Sequence, residues 1–111
     1  EEEGLVERAR KLGEFSLRYL KEMEEEVPIV GEVRGKGLML AVEFVQKKEN
    51  KKDGTKEREM VIKATLERGA IFFRGGRSAI RIAPPLIISQ EDLERGLQIL
   101  REAVEEVARK C

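Results

Sequence analysis

One arginine stands out among the residues able to bind a ligand. The stretch Ala79 to Ser89 reads AIRIAPPLIIS, with Arg81 between two isoleucines and Pro84-Pro85 just beyond. Each proline ring restrains φ and neither nitrogen can donate to a sheet ladder, so the pair stops the strand and stiffens its end. A guanidinium held there offers a planar fork of donors suited to bidentate carboxylate recognition. The residues alone leave two uses for it: a carboxylate beyond the strand, or a local acid such as Glu43 on the sheet surface.

Other chemistry is sparse. The chain has no histidine, its single cysteine is the last residue, Cys111, and no carboxylates cluster at ligand spacing, so neither a metal set nor a disulfide framework is expected. Ser16, Ser78 and Ser89 read as a helix, a turn and a cap residue, and none sits in a nucleophile elbow. Gly35/Gly37 and Gly75/Gly76 lack the lysine and hydroxyl spacing of a phosphate loop and read as turns. The lysines fall on exposed helix faces, in a charged loop or in the Arg34–Gly37 turn, none in the desolvated setting that a Schiff-base lysine needs.

With 22 basic and 22 acidic side chains among 111 residues, no excess charge points to nucleic acid or an anionic membrane. Arg34-Gly35-Lys36-Gly37-Leu38 is similar to an RNA-recognition core, but Lys36 and Leu38 stand where bases would stack on aromatic rings. No apolar run approaches the length of a bilayer span, so a soluble, cytoplasmic protein is expected. The 40% charged content resembles that of thermophilic proteins carrying surface ion-pair networks. The opening Glu1-Glu2-Glu3 runs straight into a helical pattern, which suggests a piece of a longer chain.

The elements that must position Arg81 follow from periodicity. Leu5, Ala9, Leu12, Ser16, Tyr19 or Leu20, and Met23 form the stripe of an amphipathic helix ending near Glu26, before Pro28; Gly13 weakens it by about 1 kcal/mol. Gly31–Val45 reads as one strand covered on both faces, with Leu38, Leu40, Val42 and Phe44 on one side. Gln46–Glu57 reads as a solvated loop with an Asp53-Gly54 turn. Glu57–Arg68 reads as a helix with Met60, Val61 and Ala64 inward, stopped by Gly69. Ala70–Arg74 and Ala79–Ala83 should pair antiparallel around Gly75–Ser78. Ser89 caps a closing helix striped by Leu93, Leu97, Leu100, Val104 and Val107 or Ala108. The expectation is an α+β domain, a small antiparallel sheet with helices packed on it, in the order α-β-α-β-β-α.

The ordered set VPIVGEVRGKGLMLAVEFV, a helix, GAIFFRGGRSAIRIAPPLIIS and a final helix resembles the C-terminal small domain of class III aminotransferases. These are fold-type I pyridoxal-phosphate enzymes of the ornithine, acetylornithine and 4-aminobutyrate aminotransferase type. The resemblance implies that residues 1–111 close over an amino-acid substrate, most naturally an ω-amino acid. It places the cofactor lysine, the partner of the pyridine nitrogen and the phosphate loop in a large domain of the same chain, itself within a homodimer. Arg81 then matches the family position whose guanidinium faces the active site. No catalytic or cofactor-binding residue is expected here, and the piece alone should neither bind pyridoxal phosphate nor transfer an amino group. Ser78 stands where the family often has an amide. Racemases and aminomutases share the scaffold, and the alternative from another class is a free-standing ferredoxin-like module for small ligands or a protein partner.

Overall fold

In the computed structural model, which describes residues 2–37, 39–46, 52–82 and 88–110, the alternating strands and amphipathic helices close around one core. The elements are α1 (Glu2–Glu26), β1 (Val30–Lys36), β2 (Met39–Phe44), α2 (Thr55–Glu67), β3 (Phe73–Gly75), β4 (Ala79–Ile82) and α3 (Gln90–Lys110). The strands form an antiparallel sheet in the order β1-β2-β4-β3. Val33, Leu40, Val42, Phe44, Ile80 and Ile82 on one face share the core with residues of all three helices. The α+β class therefore stands.

The element order gains a strand. The segment expected as one strand is a hairpin, with Lys36 opposite Met39 and Gly37 in the left-handed region at φ 58°, so the order is α-β-β-α-β-β-α. A two-residue connection reverses the chain without disturbing the alternation of inward and outward side chains, so periodicity alone passes through the turn unnoticed. Nor is β2 covered on both faces: Leu40, Val42 and Phe44 are buried, whereas Met39 is 63% exposed. Leu38 lies outside the described residues, as do Ala83, the Pro84-Pro85 pair and Cys111.

Helix α1 buries Leu12, Ser16, Leu20 and Met23, while Leu5 and Val6 stand exposed. Gly13 has a packing reason: a Cβ there would fall 2.0 Å from the Gly37 carbonyl oxygen, so only glycine lets the β1–β2 turn sit against the helix. Helix α2 starts two residues earlier than expected and buries Val61 and Ala64, and Gly69, at φ 88°, stops it as anticipated. Ser89 caps α3 by accepting from the Asp92 amide at 3.0 Å. Between β2 and α2 the chain is pinched shut: Gln46 donates to Lys52 and Gly54 to Phe44, each at 2.9 Å, and Val45 pairs with Asp53.

Candidate functional site

The outer face of the sheet carries the only sequence-predicted site residue. Register aligns Arg34, Ala41, Arg81 and Phe73 in one row across the four strands, with Glu32, Glu43, Ala79 and Gly75 in the next. No described helix covers this face: Arg34, Arg81, Met39 and Phe73 are all exposed.

Within that row the two arginines differ. Arg34 donates to Glu43 at 2.7 Å and to Glu32 at 3.0 Å, and the bond to Glu43 raises its pKa further above the ordinary arginine value. The other Glu43 oxygen accepts from Ser78 at 3.1 Å. The local acid that could have engaged Arg81 is thus held by Arg34 and Ser78, and the Arg81 guanidinium makes no hydrogen bond or ion pair with the described residues. Beside it, at the end of β4, a cleft of about 310 Å³ is lined by Ile71, Phe73, Arg81, Ile82, Ile88 and Asp92 among others. A free guanidinium over an apolar wall can hold an amphipathic carboxylate.

Sequence reasoning missed the groups that hold this region. Arg58, which the helical pattern of residues 57–68 does not single out, is buried and donates to the Ala79 and Arg77 carbonyls at 3.0 and 3.1 Å. Its neighbour Glu59 accepts from Arg74 on β3 at 2.6 Å, which holds the Glu59 carboxyl below its ordinary pKa. Charged residues at the start of a helix read as solvated, and only the hairpin folding back over them reverses that.

Residues 1–104 match the family Aminotransferase class-III. The chain is 40% identical over 109 residues to a leucine/methionine racemase of Thermococcus litoralis, covering 96% of this chain and 24% of that protein. It is 36% identical over 110 residues to a 5-aminovalerate aminotransferase of Pseudomonas putida, covering 97% and 26%. The crystal structure of a thermostable (S)-enantioselective omega-transaminase from Thermomicrobium roseum superposes with a TM-score of 0.82 at 40% identity, over 95% of this chain and 24% of that one. The chain belongs to the class III aminotransferase family. It spans about a quarter of the length of these relatives.

That family implies pyridoxal phosphate in the intact enzyme. The residues described here do not fit its anchor: every described lysine whose side chain is assigned an environment is exposed, and none has the desolvation that lowers an amine into a reactive range. Among the described residues no cluster of three metal-ligating side chains occurs, and no helix is long and apolar enough to cross a membrane.

Proposed function

We propose that this chain is the C-terminal small domain of a pyridoxal-phosphate-dependent class III enzyme, in which Arg81 receives the carboxylate of an ω-amino acid or related amino-acid substrate. The observation that carries the reading is a guanidinium that no described residue engages, on a sheet face that no described helix covers, bordered by Phe73 at 63% exposure. The name of the 5-aminovalerate relative supports an ω-amino acid and an amino-group transfer; that of the racemase supports a second reading, an amino-acid racemase on the same scaffold. In either case the large cofactor-binding domain covers the outer face, the enzyme works as a cytoplasmic homodimer, and the isolated chain is inactive. Ion pairs joining helices, Arg101 to Glu26 at 2.6 Å and Arg68 to Glu106 at 2.6 Å, support a thermophilic source.

The test is Arg81→Lys in the full-length enzyme, which keeps the charge and loses the fork. A lost charge-assisted bond is worth about 1.5 to 3 kcal/mol, so kcat/KM should fall roughly 10- to 150-fold for carboxylate substrates and little for amines lacking one. Unchanged kinetics would return Arg81 to a surface residue. Mixing the isolated chain with pyridoxal phosphate should give no stable absorbance band that depends on one particular lysine.

A further inference from the structure

We propose that Arg58 is the positioning residue for Arg81, holding the β3–β4 turn so that the short strand β4 presents the guanidinium in one fixed direction; this rests on the reading of Arg81 as the carboxylate-binding group. Arg58 is 5% exposed. Its Nη1 donates to the Ala79 carbonyl at 3.0 Å and more weakly to Gly76 at 3.4 Å, and its Nη2 donates to Arg77 at 3.1 Å. Its Nε lies 2.7 Å from a Glu59 oxygen but out of line for a hydrogen bond, so that contact is one of charge rather than of direction. One planar fork therefore spans the carbonyls of residues 76, 77 and 79, a geometry that a lysine cannot reproduce.

The same first turns of α2 grip the hairpin elsewhere. Thr55 Oγ1 donates to the Arg77 carbonyl at 3.0 Å, and Glu59 is bound by both Nε and Nη2 of Arg74 on β3. Strand β4 has four residues, and Arg81 follows Ala79 by two. Ile80 and Ile82 are held by the core, but Arg81 points to the open face, where no described group holds it. Its aim is set by the backbone that carries it: β2 and β3 flank Arg81 at Ala41 and Phe73, and Arg58 fixes the turn where β4 begins. A displacement of about 1 Å in a substrate-positioning group can cost on the order of 100-fold, so a grip this far from the substrate can matter for how well the carboxylate is bound.

The experiment compares Arg58→Gln, Arg58→Lys and Arg81→Lys in the full-length enzyme, with Glu59→Gln as a milder variant should Arg58→Gln not fold. Arg58→Gln is expected to raise KM for carboxylate substrates about tenfold and leave kcat and amines lacking a carboxylate within about twofold. Amide exchange should quicken over residues 76–82, with Arg58→Lys and Glu59→Gln showing smaller changes in the same direction. Equal losses for both substrate types would mark a general structural role and overturn the proposal. So would folded Arg58 variants with unchanged exchange and unchanged KM. Quickened exchange together with unaltered Arg81→Lys kinetics would separate the failures: the hairpin grip would stand, and the Arg81 reading would fall.

Discussion

The two faces of the sheet obey opposite rules although their residues alternate along the same strands. On the inner face Val33, Val42, Phe44 and Ile80 are at most 1% exposed, and each fills space against the helices. On the outer face Met39 and Phe73 are each 63% exposed, flanked by Arg34 and Arg81. The inner face is finished within this chain, whereas the outer face carries apolar and cationic groups that a monomer of this size would ordinarily cover. Burial and exposure are thus separated by the direction of a side chain rather than by distance along the sequence.

The sharpest way to break this contrast is in the core. Phe44→Ala removes a fully buried ring and should cost about 3 to 5 kcal/mol, enough to unfold much of the population, as read by urea denaturation. Next comes Gly13→Ala. On helix propensity alone alanine would gain about 1 kcal/mol, but its methyl would collide with the Gly37 carbonyl. A net loss of about 1 to 3 kcal/mol is expected from the forced shift; a stabilised variant would show that the β1–β2 turn moves freely off α1.

The third effect is smaller and depends on pH. Arg74 holds the Glu59 pKa below its ordinary 4.5, so the folded state binds this proton less tightly than the unfolded chain does. The contribution is present above about 4.5 and is lost as pH falls through the lowered folded value. Because the Glu59 side chain is 39% exposed, it is worth only about 0.2 to 1 kcal/mol. Wild type and Glu59→Gln should therefore differ near neutral pH and converge once pH has fallen below the lowered folded value, as read by chemical denaturation. The smallest change in stability belongs to the outer face: Phe73→Ser should stay within about 0.5 kcal/mol, while sedimentation of the isolated chain should show weaker self-association than wild type. If wild type is strictly monomeric at high concentration, the uncovered face needs no partner.

Much of this was legible from residue order. The stripe Leu12, Leu20, Met23 of α1, the cap at Ser89, the stop at Gly69 and the antiparallel pairing of β3 with β4 all follow from local rules that the packing reinforces. The β1–β2 hairpin was not legible, because Gly37 reverses the chain while preserving its alternation. Arg34 and Arg81 look equivalent as exposed strand arginines. Only the register that sets Glu43 opposite Ala79, beside Ser78, shows that Arg34 takes the acid and Arg81 is engaged by no described residue. Arg58 was the least visible, since its burial comes from a turn some twenty residues away in sequence, joined by contacts that no periodicity records.

The pinched base after β2 carries a consequence for engineering. Backbone bonds through Gln46, Lys52 and Gly54 close the connection, Gln46 Nε2 adds one to the Asp53 carbonyl at 3.2 Å, and a Cβ on Gly54 would press to 2.7 Å from the Phe44 backbone, so the closure is tight at its root. Lengthening a connection costs only about 0.6 kcal/mol per doubling once its ends are held. The root lies at the end of the sheet where Glu43 pairs with Ala79 and the Phe44 amide donates to the Ser78 carbonyl, opposite the end where Ile82 borders the cleft. A peptide tag inserted between residues 47 and 51 should therefore cost the fold little, which urea denaturation of the tagged chain would read directly.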